Sequence, residues 1–419
     1  MTSQSNVQIF DRDELQGLFD LRSPSNAVSG GGFSADPYPT WHALRTAGAV
    51  HSGTPHELTG YPGPWIFQGL PCPDQQHFTA FTFEACNSAF RDPETFASSP
   101  VGYTIDTEVV DIHNSLFAMG GTQHRRFRAL VQQSFVPAKA RWWITNWIEH
   151  TVHTLIDNFI DEGRADLNID FAAALPILTI TGSFGVDVDD ALLVRQSIMN
   201  DPMTVVSVLQ PIIDARRQKP EDDLISILAG AEFTDEDGVR HRMTDAEINS
   251  FALILLAGGS GTTWKQLGIT LAALLQRPDL LAAVRNDRDL VQAAVEESLR
   301  WMPTDPVFAR YVTRDLEFHG VEMPEGSVLH LNMGAANRDP ARWHSPDDYD
   351  IAREPKQMLT FGNGPHVCLG MHVARAEMAA GINALLDRLP NLRLDSDAPP
   401  PEFIGFYERG VTGVHVLFG

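Results

Sequence analysis

The stretch FGNGPHVCLG, residues 361–370, decides how the rest of the chain reads. Gly362, Gly364 and Pro365 set a tight loop, and Gly370 closes it just past Cys368. Beyond the loop Val373, Ala376, Ala380, Leu385 and Leu386 recur at helical spacing until Pro390 stops them. Cys368 therefore stands at a helix N-terminus, where free N–H groups and the dipole favour a thiolate over a thiol. One anionic sulfur without a second cysteine nearby suits a single axial bond to a metal cofactor better than a zinc cage. Two other readings stay open on these residues alone. A lone cysteine is ordinarily a buried small hydrophobe. A nucleophile beside His366 is the other, although alternation along the chain points those two side chains apart.

Upstream, LVQAAVEESLRW (residues 290–301) reads as a helix with Glu297 and Arg300 sharing a face at i, i+3. Exposed, such a pair contributes about 0.3–0.5 kcal/mol; buried, it needs further hydrogen bonds to offset desolvation. Further upstream, Thr244 and Glu247 form a capping box. The apolar pattern then runs to Gln276, with Pro278 as the stop, which predicts a buried helix of about 32 residues and about 48 Å. GGSGTT, residues 258–263, sits in its middle, and three glycines inside a helix cost about 3 kcal/mol relative to alanine. Either the glycines break it into two helices, or they distort it locally and open space beside a ligand, with Thr262 presenting a hydroxyl.

Around these motifs the chain is ordinary in composition. Of 419 residues, 43% are hydrophobic and 20% charged, which excludes disorder, collagen and coiled coil. The net charge of −23 argues against nucleic acid or an anionic membrane as a general partner. The N-terminus lacks the basic and apolar regions of a signal peptide, and no apolar run is long enough to span a membrane, so a cytoplasmic location is expected. Cys72 and Cys86 are read as structural, in a reducing compartment. The first hundred residues, rich in Pro and Gly, predict short strands, including one at residues 65–67. Helices are predicted over 125–135 and 142–159 with Pro137 between them, and strands with a turn at PEG over 316–332. Together these give one large, mostly α body with minor β: a β-rich part over about residues 1–100 and a helical body over about 101–419, with no internal repeat.

The loop FGNGPHVCLG resembles the haem-binding loop of cytochromes P450, F-x-x-G-x-x-x-C-x-G, with Phe361, Gly364, Cys368 and Gly370 at its fixed positions. Glu297 and Arg300 match the family's E-x-x-R pair. GGSGTT matches its central helix with Thr262 at the alcohol position, and QHRRFRALV from Gln123 is similar to the early helix that contacts haem. The resemblance spans residues 123–370 and implies a single P450-like domain over residues 1–419, of the soluble bacterial class I type. It implies haem b, with Cys368 as proximal thiolate, a ligand whose electron donation favours O–O cleavage. Phe361 and Gly362 would line the cysteine loop, and His124, Arg128, Arg310 and His366 would receive the haem propionates. Glu297 and Arg300 would be a structural ion pair.

The resemblance further implies a monooxygenase that hydroxylates a hydrophobic small molecule (terpenoid, steroid, fatty acid or aromatic) with O2 and two electrons. A ferredoxin and its reductase would supply the electrons to a monomeric enzyme. The pocket would include Gly258, Gly259 and Val307. Thr262 would help deliver protons, but the chain departs from the family immediately before it: Gly261 stands where Asp or Glu is usual. Water could fill that gap, Asp305 could serve the relay, or the chemistry could differ. Gly261 therefore keeps open a peroxide-using or non-redox enzyme, while a haem-based ligand sensor is the non-enzymatic alternative. Arg125, Arg126, Arg342, Arg353, Lys356 and Arg375 flank the motifs on the cysteine side and predict a basic docking patch on an acidic body.

Overall fold

A computed structural model describes residues 10–23, 26, 30–61, 72, 74–106, 108–234 and 238–419. The strand expected over residues 65–67 lies outside the described residues. The chain is 51% helical and 11% strand. It has the mostly α architecture with small sheets that the sequence predicts.

The helices that matter for the site are α1 (Gly121–Gln132), α2 (Ala174–Ser183), α3 (Ala191–Ser197), α4 (Asp245–Leu275), α5 (Leu290–Trp301) and α6 (Met371–Arg388). Helix α4 starts at the predicted capping box: Glu247 N–H donates to Thr244 Oγ1 at 3.2 Å, and Thr244 N–H donates to Glu247 Oε2 at 2.7 Å. It then runs unbroken through GGSGTT, so the two-helix reading does not hold. Packing explains this. Phe251, Leu256, Trp264 and Leu267 are fully or almost fully buried, and core burial on this scale outweighs the glycine cost.

The largest sheet contains β1 (Val50–Ser52), β2 (His77–Ala80), β3 (Phe96–Ala97), β4 (Val307–Val312) and β5 (Val328–Asn332), in the order β1-β2-β5-β4-β3. Strand β5 pairs parallel to β2 and antiparallel to β4, with Leu329 opposite Arg310. The N-terminal strands thus need partners from residues beyond 300. The first hundred residues also carry helices, such as Tyr38–Ala47 and Phe83–Arg91, so that part is mixed rather than simply β-rich. The main core is continuous from Leu15 to Phe418. Among the described residues no single helix is long and apolar enough to cross a membrane.

Candidate active site

The cysteine loop is held by the backbone first. Cys368 N–H donates to Phe361 O at 2.8 Å, and Gly362 N–H donates to Leu359 O at 2.7 Å. Gly364 has φ 72°, and a Cβ there would lie 2.3 Å from Phe90 O, so only glycine fits. Gly370 is the N-cap of α6 and borders open space. Phe361 lies under the Arg375 guanidinium, 4.6 Å from its ring centroid, and Arg375 is clamped by Glu296 at 2.5 and 2.9 Å. Cys368 itself is exposed.

One expectation about that sulfur is corrected. Desolvation pushes the Cys368 thiol above its ordinary range, and the Gly370 N–H, Arg128 and Arg375 offset only part of this, with Asp305 adding to the rise. The helix N-terminus alone therefore does not make a thiolate here. A metal would, because a coordinating thiol is deprotonated outright.

Four side chains beside the loop form a cluster without an acid. The His124 and His366 rings stack at 3.9 Å, and His366 Nε2 is 2.9 Å from Ser98 Oγ. Arg310 rests over the Phe90 ring at 5.1 Å, and its Nη1 donates to Ala309 O at 2.8 Å. Burial, and then neighbouring cations, depress His124 to about 4 and His366 to about 2, while burial lowers Arg310 to about 10 and Arg128 as well. Two neutral imidazoles and two guanidiniums, with no ion pair to Arg128 or Arg310 among the described residues, suit an anionic partner.

Glu297 and Arg300 form a closed, buried pair, 5% and 1% exposed. Arg300 donates to both carboxylate oxygens at 2.7 and 2.8 Å and to the carbonyls of Asn337, Pro346 and Asp348. Arg353 and the Asp350 N–H complete the Glu297 shell. The brace continues toward the cysteine loop. Asn337 Nδ2 donates to Thr360 Oγ1 at 2.8 Å, and Thr360 Oγ1 donates to Leu299 O at 2.6 Å.

On α4, Thr262 donates to Gly258 O at 2.8 Å. The predicted pocket positions separate. Gly258 borders open space, as expected. Gly259 does not make room for a ligand, because a Cβ there would lie 2.9 Å from Ile180 Cγ1; it lets α4 pack against α2. Val307 is fully buried in the core and offers no pocket surface. Arg353 and Arg375, predicted for a docking patch, are instead engaged by Glu297 and Glu296.

Two charged residues near α4, Lys265 and Arg195, were missed in the sequence, whereas Asp305 stands there as a relay candidate. Lys265, 2% exposed, meets the Glu408 carboxylate. Burial and Glu408 raise Asp305 to about 7, against the pull of Lys265. Arg195 of α3 comes within 3.8 Å of a Cβ position on Gly261. A signal existed: Lys265 and Arg195 each stand alone in an apolar helical run, where an unpaired charge is costly.

A family model described as Cytochrome P450 matches residues 194–406. The putative cytochrome P450 133B2 of Xylella fastidiosa (strain 9a5c) is 31% identical over 427 residues, covering 96% of this chain and 98% of that protein. The chain belongs to the cytochrome P450 superfamily. A steroid C26-monooxygenase of Mycolicibacterium smegmatis is 32% identical, over 81% of this chain and 87% of that one. A myxobacterial P450 solved in complex with myristic acid superposes with a TM-score of 0.74 at 27% identity, covering 95% and 98% of the two chains. This P450 is accordingly a monooxygenase and an oxidoreductase, of a haem-thiolate family. Its residues fit that cofactor. An exposed cysteine just ahead of α6 lies near an acid-free cluster of Arg and His, which suits a macrocycle bearing two carboxylates.

Proposed function

We propose that this P450 hydroxylates a hydrophobic small molecule of the fatty-acid or steroid class, with haem b ligated by Cys368. The observation that carries the reading is the exposed Cys368 just ahead of α6, beside Arg128, Arg310, His124 and His366. Bound haem would supply oxygen activation, with a thiolate donating electron density. The protein residues do the rest. Arg128 and Arg310 would hold the propionates as cations, and His124 and His366, depressed well below neutrality, would hold them as neutral hydrogen-bond donors. The Glu297–Arg300 brace fixes the approach of the cysteine loop through Asn337 and Thr360. Gly258 borders open space on α4, where a bulky substrate would fit. Thr262 can exchange its bond to Gly258 O for one to water and so hold a proton donor at its Oγ1.

Electrons would come from a ferredoxin that docks near the cysteine side, where Arg125 is exposed and Arg126 is half-buried. Turnover of myristic acid or a steroid with a ferredoxin, its reductase and O2 tests the reading. Hydroxylated product that requires reductant supports it. Product formed only with peroxide favours the alternative that Gly261 keeps open. Thr262→Ala should lower product per electron consumed by about tenfold, with the balance appearing as peroxide. Unchanged coupling would remove Thr262 from proton delivery.

A further inference from the structure

Arg195 is a half-buried cation for which the described residues supply no hydrogen-bond acceptor. It leaves α3 toward α4, and its guanidinium lies 5.5 Å from the Phe19 ring centroid. Surrounding protein lowers its pKa, and Glu408 offsets this only from a distance. The Glu408 carboxylate is in contact with Lys265 instead. Among the described residues Arg195 makes no hydrogen bond and no ion pair. Its guanidinium is half-buried rather than enclosed, so it is reachable from the space beside α4 and keeps its donors available to a ligand.

Gly261 is what leaves room for that partner. A Cβ there would meet nothing closer than Arg195 Nη1 at 3.8 Å, so the space beside α4 is open and faced by the guanidinium. An acidic side chain at 261 would reach Arg195 directly; this chain has none.

We propose that Arg195 and Gly261 form an anion subsite of the ligand pocket, and that the natural ligand is a hydrophobic acid whose carboxylate docks on Arg195 beside Gly261. The forked guanidinium matches a planar carboxylate. One cation with Glu408 nearby suits a single negative charge; the second charge of a phosphate monoester would face Glu408. The ligand thus brings the carboxylate that the protein lacks next to Thr262. This inference rests on the haem-thiolate reading, since it places the acid in that enzyme's pocket.

The test is equilibrium dialysis of the holoenzyme with myristic acid and with its methyl ester, run beside the reduced, carbon monoxide-bound absorption spectrum. Wild-type protein binds the acid more tightly than the ester. Arg195→Leu weakens the acid by about tenfold or more and the ester by less than about twofold. Arg195→Lys recovers part of the loss. Gly261→Asp supplies a protein carboxylate to Arg195 and weakens the acid similarly, whereas Gly261→Ala does not. Equal affinity for acid and ester in wild type, equal losses in Arg195→Leu, or an unchanged acid affinity in Gly261→Asp each overturn the proposal. A wild-type spectrum without the thiolate-type band overturns the haem-thiolate reading and the subsite with it. A normal band without acid selectivity overturns the subsite alone.

Discussion

Gly258 and Gly259 are neighbours on α4, yet a methyl group has opposite consequences at the two. At 258 a Cβ meets open space, and at 259 it meets Ile180 Cγ1 at 2.9 Å and Ile180 Cβ at 3.3 Å. Gly258→Ala should stabilise the protein by up to about 1 kcal/mol through helix propensity. Gly259→Ala should destabilise it by about 1–3 kcal/mol through overpacking against α2. Urea unfolding of both variants checks the pair; the same sign for both would refute the assignment. At this scale the sequence reads motifs better than packing. Cys368, Thr262 and the Arg and His positions sit in local patterns with their own physical logic. Which glycine faces a neighbouring helix depends on a partner some eighty residues away, and no local pattern carries that. The raised thiol of Cys368 was missed similarly, since desolvation depends on everything around the loop.

Helix α5 shows what an element contributes beyond its own stability. At i, i+3 the Glu297–Arg300 pair looks like a surface bridge, but burial and three backbone carbonyls make it a clamp between α5 and residues 337–350. Arg300→Ala would leave Glu297 buried and those carbonyls unpaired, which should cost about 3–5 kcal/mol. The thermal midpoint should drop, and the cysteine loop should exchange its amide hydrogens faster; an effect below about 1 kcal/mol would mean the brace is ornamental. Strand β5 yields a pH prediction. His330 is buried, and its Nε2 lies 2.9 Å from His77 Nδ1. Burial and then His77 depress it to about 3. The unfolded chain takes up this proton first as pH falls, so the stability from His330 is complete above about pH 6.5 and is lost progressively toward about pH 3. Between about pH 6.5 and pH 5 its share approaches about 1.4 kcal/mol per pH unit, and His330→Gln should flatten the slope by that amount. An unchanged slope would place the titration elsewhere. The capping box, the extent of α5 and the Pro390 stop were legible because each is a local rule. The sheet was not, because β2 and β5 are far apart in sequence and pair in parallel.

The whole molecule carries −23 charges, yet its acid-free cluster lies beside the cysteine loop. A docking patch built from all six predicted cations is too generous, since Arg353 and Arg375 are already engaged in ion pairs. Reversing charge at Arg125 and Arg126 should slow ferredoxin-driven turnover by about tenfold and weaken its salt dependence, without changing peroxide-driven turnover. An equal loss in both assays would point to damage to α1 rather than to docking. The fold class and the family were both readable from four ordered motifs. The pairing of Lys265 with Glu408 and the approach of Arg195 to Gly261 were not, because those residues come together only in three dimensions. Everything proposed for this P450 turns on one bond, between the Cys368 sulfur and haem iron. The direct measurement is the absorption spectrum of the reduced, carbon monoxide-bound protein, wild type against Cys368→His. Wild type should give the red-shifted thiolate band, and Cys368→His should retain haem but lose that band. A wild type without the band, or a Cys368→His variant that keeps it, would contradict the account.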